Sequence, residues 1–574
     1  MEKRKQTKSA RLRAFSASWL LLLCLSSEAL SQAALTRDEV LRLPAPLRAS
    51  ASDFGAVSCD SSPVVGVLPG EVPVADRTRV ELVGATVLPP QAFAQLSSAV
   101  RAGPVSREGL GRLVAGVECL YRERGFVFAR ASAAVDPELE GAYTVTVIEG
   151  VIRRVEALAE SESVAQLALR AFAGVREGAP LNAGAVRRGL AHCASVGLTE
   201  VRPTIRRSRI DPAALDLVLI VAAPAAQVFF QAQNGNAKAL GPVGLLAGTR
   251  LAGLTPLAER TTLGAYAVTD WPEQWSLQFD SEALLGGAGI KARVGGAHAR
   301  SRPGDVLAPL EIFARTTYLV AELSAPISVQ RGRVTAWRAG LESVDQSAEF
   351  LGGLPLGDDR LRVGFLGLRI DQLLERGLWQ GELQFRRGLD TLGASRPGDP
   401  GLSRVDADPL SFVIRADSEL GLQWSPNATL RASLRGQWTR DPLVAFERIN
   451  FGGLSGGQGF DPGALAGDSG VSASLQWLIA PRQVGSWGSI RPWLQLAGAR
   501  LTNTNDSGFA TAEGASASVG LTWSPRGAWQ IELAWAEPIG RARGADTAAF
   551  GSRLLVRVTG SLERRAADIA VGAP

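Results

Sequence analysis

Leu430-Arg-Ala-Ser-Leu-Arg-Gly-Gln-Trp438 puts Leu430, Ala432, Leu434 and Trp438 in one phase and Arg431, Ser433, Arg435 and Gln437 in the other. Successive side chains of a strand point to opposite faces, so this stretch reads as a strand with one apolar and one charged face. Shortly after it comes Asn450-Phe-Gly-Gly-Leu-Ser-Gly-Gly-Gln-Gly-Phe-Asp461, running on to Gly467-Asp-Ser-Gly470. A loop this long and this rich in glycine is not a simple hairpin turn. Its backbone can fold back into a space that side chains would otherwise fill.

The same alternation recurs on both sides of the loop. Trp275, Leu277 and Phe279 interleave with Ser276, Gln278 and Asp280. Trp379, Leu383 and Phe385 interleave with Gln380, Glu382, Gln384 and Arg386, and Leu420, Leu422 and Trp424 with Glu419 and Gln423. Trp529, Ile531, Leu533 and Trp535 interleave with Gln530, Glu532 and Ala534, and Leu554, Val556 and Val558 with Arg553, Arg557 and Thr559. Strand centres fall near residues 229, 248, 265, 278, 292, 317, 338, 365, 383, 418, 434, 475, 494, 519, 533 and 557, sixteen in all. The polar phase carries charges of both signs on strand after strand. A soluble sandwich would bury a dry face and wet the other. A membrane barrel turns its apolar face to lipid and its polar face to a wet lumen, and this pattern favours the barrel. The charged positions Glu382, Arg386, Arg431 and Arg435 then read as solvated pore lining.

Composition supports an exported protein. Residues 1–33 hold six basic side chains against Glu2 and Glu28, which accounts for four of the five net positive charges of the 574-residue chain. The apolar run Trp19-Leu-Leu-Leu-Leu-Cys-Leu25 and Ser31-Gln-Ala33 complete a signal-peptide pattern. The remaining charge is near zero and gives no reason to expect nucleic acid. No later segment is long and apolar enough for a spanning helix, so any membrane insertion must be by a closed barrel. Cys59, Cys119 and Cys193 make no disulfide framework; a Cys59–Cys119 bridge is one option and buried free thiols the favoured one. With only His192 and His298 there is no His-rich metal site, and no catalytic constellation or cofactor motif stands out.

The N-terminal half reads differently. Residues 34–77 form a linker or a possible short plug helix, starting from Thr36. Residues 78–150 carry a strand (79–83), helices (91–100, and from Ser106 through Leu110, Leu113, Val114, Val117 and Leu120) and paired strands (126–131 and 143–148). Gly125 serves as a left-handed helix cap. Residues 151–223 repeat the plan, with a strand at 151–158, helices at 164–172 and 183–193, and strands at 202–207 and 215–221.

Taken with their order, these residues resemble the outer-membrane transporters of two-partner secretion, the hemolysin secretion/activation (TpsB) family. The resemblance covers roughly residues 78–562. Leu82-Val-Gly84, Tyr121, Gly125-Phe126 and Glu149-Gly150 match the family's polypeptide-transport-associated (POTRA) pattern, in a mostly structural role, and the second unit fits a second POTRA domain. Residues 233–250 are similar to the first barrel hairpin and residues 387–395 to a mid-barrel segment. The most specific match is Gly436-Gln-Trp438, Leu443, Glu447-Arg-Ile449, Gly452-Gly453, Gly459-Phe460 and Gly467-Asp468, between the eleventh and twelfth strands, where the family places its inward-folding loop. The implied fold is mainly β: a sixteen-stranded transmembrane barrel (residues 224–562, loop 450–470) preceded by two periplasmic α+β POTRA domains (78–150 and 151–223), with a tail at 563–574.

The chain departs from the pattern twice. Where the family loop carries Val-Arg-Gly-Tyr/Phe, Gly457-Gln-Gly-Phe460 stands, so Gln458 replaces the arginine. The wall aspartate that meets that arginine in the superfamily falls at Leu496 in Leu494-Gln-Leu-Ala-Gly498. With both partners gone, the loop is expected to be held by packing and neutral hydrogen bonds, and less tightly than in relatives. Second, the chain ends on a tail rather than a terminal aromatic strand.

The resemblance implies a non-enzymatic translocator, with no cofactor. It would capture an unfolded exported partner, an adhesin or hemolysin with an N-terminal secretion domain, and pass it through the barrel. It further implies a monomer in outer-membrane lipid, inserted by the barrel-assembly machinery. An assembly factor of the same superfamily and a passive porin-like channel are the alternatives; two POTRA units argue against the first, and any POTRA unit against the second.

Overall fold

The computed structural model describes Arg37 and residues 79–563, apart from 102–106, 136–141, 199, 209–210, 212, 223–225, 256, 331, 455, 505–510, 526–527 and 545–550. The chain divides into two compact units, one containing both α+β domains and one containing the barrel together with Arg37.

In the first α+β domain, strand β1 (Arg79–Val83) is followed by helices α1 (Pro90–Arg101) and α2 (Arg107–Glu123) and strands β2 (Arg130–Val135) and β3 (Ala142–Ile148). The sheet order is β1-β3-β2, with β1 parallel and β2 antiparallel to β3. Helix α2 forms because Leu110, Leu113, Val114, Val117 and Tyr121 recur at helical spacing; all are buried, and Leu113, Val117 and Tyr121 pack with Val80, Val145 and Val147. Gly84 takes φ +79°, and a side chain there would run into the Val147 carbonyl. The strand expected at 126–131 starts later, at Arg130. Phe126 lies in the preceding turn, its N–H bonded to the Tyr121 carbonyl at 2.8 Å.

The second domain repeats this plan with β4 (Val151–Ala159), α3 (Glu162–Ala171), α4 (Ala183–Ser195), β5 (Val201–Arg207) and β6 (Ala214–Val221), in the order β4-β6-β5. Asn182 caps α4 by accepting from the Gly184 N–H at 2.8 Å. Its amide nitrogen donates to the Arg124 carbonyl at 2.9 Å, so one side chain joins the two domains. Cys119 is disulfide-bonded, to a partner outside the described residues, which corrects the free-thiol reading for that residue. Cys193 is free and buried, and burial pushes its thiol up to about 12.

Sixteen spanning strands close into a barrel, from the first (Ala226–Gln233) to the sixteenth (Arg553–Glu563), which pairs antiparallel with the first from Arg557↔Gln233 to Glu563↔Gln227. Each strand centre read from the alternation falls within one of them. The phase is the one a membrane barrel needs. In the sixth strand (Phe313–Gln330), Ala314, Thr316, Tyr318, Val320, Glu322 and Ser324 are buried while Leu319 and Leu323 are exposed. Trp424, Trp438, Trp477, Trp529 and Trp535 are likewise exposed, as expected of side chains meeting lipid and its interfaces.

Candidate functional site: the lumen and its inward loop

The glycine-rich loop leaves the eleventh strand (Ala428–Thr439) and enters the twelfth (Ser469–Ile479). Between them it makes a 3-10 turn (Ala445–Glu447) and a hairpin of Ile449–Phe451 with Leu465–Gly467. Its apolar side chains pack on two separate walls. Phe446 joins Tyr318, Val344, Val363 and Phe365, with the Tyr318 and Phe446 rings stacked at 6.2 Å. Phe451, Phe460 and Leu465 join Ala497, Leu501 and Ala512 on the other. The loop is therefore inside the barrel, and Phe460 is only 1% exposed.

Charges fix it there. Arg386, in the ninth strand (Gly377–Gly388), is 1% exposed. It donates to Glu447 of the loop at 2.6 and 3.2 Å, and to Glu342 of the seventh strand (Arg333–Phe350) at 2.7 Å. Glu342 also accepts from Arg37 at 2.6 Å, while Arg415 of the tenth strand (Phe412–Ser425) reaches Glu447 at 3.3 Å. Five ionised groups from the N-terminal stretch, the wall and the loop thus form one buried network. Arg386 is not solvated lining, contrary to the alternation reading. The wall carries a second chain of charges over six consecutive strands. It runs Asp280–Arg293 (2.6 Å), Arg293–Glu322 (3.5 Å), Arg338–Glu322 (2.5 Å), Arg338–Glu382, Arg369–Glu382 (3.5 Å) and Arg369–Asp371 (3.0 Å).

Asp468, at the loop's exit, is fully buried. It accepts from Arg404 at 2.6 Å and from the Leu443 and Thr504 N–H groups at 3.1 and 2.9 Å. Gly452, Gly453 and Gly457 all take positive φ within the loop. Gly459 lies flat on the fifteenth strand (Trp529–Arg543): a Cβ there would sit 2.7 Å from the Pro538 nitrogen.

Gln458 is buried, but its Oε1 has no hydrogen-bond partner among the described residues. The expected wall counterpart needs correction. Leu496 is 47% exposed and Gly498 shares its phase, so both belong to the outer face of the thirteenth strand (Ser489–Thr502). The buried, inward positions there are Gln495 and Ala497. The expectation that neutral contacts alone hold the loop also fails, because Glu447, Asp461 and Asp468 all pair with arginines. Arg37, Glu342, Glu447, Asp461 and Arg553 are site residues that the sequence reading does not name as such, although Arg37 lies in the possible plug helix and Asp461 at the end of the glycine run. Glu447 carries a further signal, as part of the matched Glu447-Arg-Ile449.

The POTRA motif residues are structural in placement. Glu149 is buried and accepts from the Thr86 and Val87 N–H groups at 2.6 and 3.1 Å, the Tyr121 hydroxyl at 2.5 Å and the Thr86 hydroxyl. Burial pushes its carboxyl up, but these bonds outweigh burial and hold it below the usual carboxylate range. Gly125 and Gly150 take positive φ at turns, and Phe126 packs edge-on to Tyr121 at 6.2 Å. Among the described residues no cluster suited to a metal ion occurs.

A cavity of about 220 Å³ remains between the loop and the wall, lined by Gln233, Tyr266, Ser433, Asn450, Gly453 and Ser474 among others.

Comparison with known proteins agrees. Residues 329–523 match the sequence profile of the haemolysin secretion/activation proteins ShlB/FhaC/HecB, and residues 76–150 match the ShlB-type POTRA domain. Over these residues the chain is similar to this family. CdiB from Escherichia coli superposes with a TM-score of 0.71 at 17% identity, covering 88% of this chain and 94% of that one. CdiB from Acinetobacter baumannii gives 0.62 at 15% identity, covering 96% and 98%. These likenesses concern the fold. A search of curated proteins gave no match. The haemolysin secretion/activation family is one of partner-secretion transporters, and its closed barrel indicates the outer membrane.

Proposed function

We propose that this protein captures an unfolded exported partner in the bacterial periplasm and passes it through the barrel lumen to the cell exterior. The carrying observation is that the element filling the lumen is a loop outside the barrel's own strand ladder, held to its surroundings by side-chain ion pairs. The partner is of adhesin or hemolysin type with an N-terminal two-partner secretion domain. Residues 1–33 direct export and are removed. The domains at 78–150 and 151–223 face the periplasm, where, among the described residues, the edge strands β2 and β5 each pair on one side only. An extended partner segment can add to such an edge through backbone hydrogen bonds, which leaves sequence requirements loose. Folding of the partner outside supplies the driving force. The protein acts as a monomer after insertion by the barrel-assembly machinery.

Deleting residues 78–222 in the native cells, with the exoproteins of the culture medium compared before and after, tests this reading. Loss of secretion of one exoprotein is expected. Broad outer-membrane defects would mark an assembly factor instead, and unchanged solute flux with no secretion defect would mark a passive channel.

A further inference from the structure

We propose that Arg553 is the wall-side anchor of the loop's Gly457–Asp461 turn, and that its pair with Asp461 supplies a charge contact at that turn in reversed polarity, acid on the loop and base on the wall. The inference rests on the translocator reading, since it names what holds that gate.

Arg553 opens the sixteenth strand, and its side chain points into the lumen. Nη2 lies 2.8 Å from the Asp461 carboxylate, and the two side chains are 15% and 16% exposed. Nη1 donates to the Phe460 carbonyl at 2.9 Å, and Nη2 to the Asn236 carbonyl at 3.0 Å. A planar guanidinium can satisfy several acceptors at once, where an ammonium would act as a single point charge. The neighbouring backbone is fixed as well. The Gly459 carbonyl accepts from the Gly551 N–H at 3.1 Å, and the Phe460 carbonyl accepts from the Gly453 N–H at 2.9 Å. The place where the family motif puts its ion pair cannot perform this task. Gln458 is neutral with an unpartnered Oε1, and the inward wall residues Gln495 and Ala497 carry no charge.

Arg553 also sits where the barrel closes. The backbone ladder between the first and sixteenth strands runs from Gln227↔Glu563 to Gln233↔Arg557. Beyond it, the Asn234 N–H donates to the Val556 carbonyl at 3.2 Å, and its side chain extends the seam: Nδ2 donates to the Leu554 carbonyl at 2.9 Å, and Oδ1 accepts from the Val556 N–H at 2.7 Å. Arg553 lies next, bonded both to the turn after the first strand (Asn236) and to the loop. One guanidinium therefore serves the closing seam and the loop together. When the loop withdraws it loses Asp461 and the Phe460 carbonyl but keeps Asn236, so the anchor stays in place for the loop's return.

The test uses the full-length protein in planar bilayers, reading the fraction of time the resting channel is open. Heat-modifiable migration confirms a folded barrel. Asp461→Asn keeps shape and removes the charge; Arg553→Gln does so from the other side. Each is expected to raise the open fraction about tenfold, the scale of a charge-assisted hydrogen bond. The double variant should be no leakier than either single one, as contacting partners are non-additive. The exchange Asp461→Arg with Arg553→Asp should recover most of the closure. Arg557→Gln, on the same strand face, should leave it unchanged. Singles without effect, effects that multiply in the double variant, or an equally leaky Arg557→Gln would overturn the proposal. A protein that gates as expected but secretes no partner would defeat the functional reading and leave this anchor standing.

Discussion

Replacing Arg386 by methionine should release the loop. The guanidinium lies between Glu342 on the wall and Glu447 on the loop, within 2.7 and 2.6 Å of each. Methionine fills the space and leaves two carboxylates facing each other. Their repulsion across roughly 5 Å is about 3 kcal/mol at the effective dielectric constant of about 20 that suits protein sites. Loss of one partner from a buried pair is independently worth about 3–5 kcal/mol. Each carboxylate keeps a second arginine, Arg37 or Arg415, so the lower figure applies. Only Glu447 can relieve the strain by moving, because it rides on the loop. A change of about 3 kcal/mol shifts the loop equilibrium outward by about 150-fold. Single-channel recording of the purified protein reads this as a raised open fraction, and Arg386→Met with Glu447→Gln should return it most of the way. An unchanged open fraction in folded Arg386→Met protein, or no recovery in the double variant, would refute the reasoning.

Three further outcomes are expected. Gln458→Leu should leave resting conductance within about twofold of the parent, because the Gln458 Oε1 makes no bond to lose; Gln458→Arg should open the channel, since no wall carboxylate awaits it, and adding Ala497→Asp should close it again. Glu149→Gln should destabilise the first α+β domain by about 1–3 kcal/mol in denaturant titrations. Because the folded Glu149 carboxyl is held low, its contribution is present above the ordinary carboxylate range and is lost as pH falls through the folded value, so the variant's deficit should vanish in acid. Asn182→Asp should keep the helix cap but lose the donor to the Arg124 carbonyl, and Asn182→Ala should lose both, costing about 1 kcal/mol more in thermal unfolding.

The barrel was legible because alternation is a local signal, repeated in every strand, and Leu430 to Trp438 already states its phase. The same rule should have corrected the wall position. Leu494 and Leu496 share the apolar phase, so they face lipid and Gln495 faces inward; matching the family pattern overrode that phase and slipped the register by one residue. The charge network was not legible. Arg386 meets Glu342 and Glu447 across sequence separations of 44 and 61, and nothing local distinguishes it from other polar-phase residues. Asp461 closed the glycine run in plain view, but its partner Arg553 comes close only through the closure of the barrel.

The five-membered network at the centre of the lumen also sets an order of events. Arg37, Arg386 and Arg415 stand there against Glu342 and Glu447. If Arg37 departs first, two cations and two anions remain, and the rest of the lock is electrically balanced. If Glu447 departs first, three guanidinium groups crowd one carboxylate. On the translocator reading proposed above, charge parity favours release of the N-terminal arginine before the loop, and a partner that engaged only the loop would meet the steeper path.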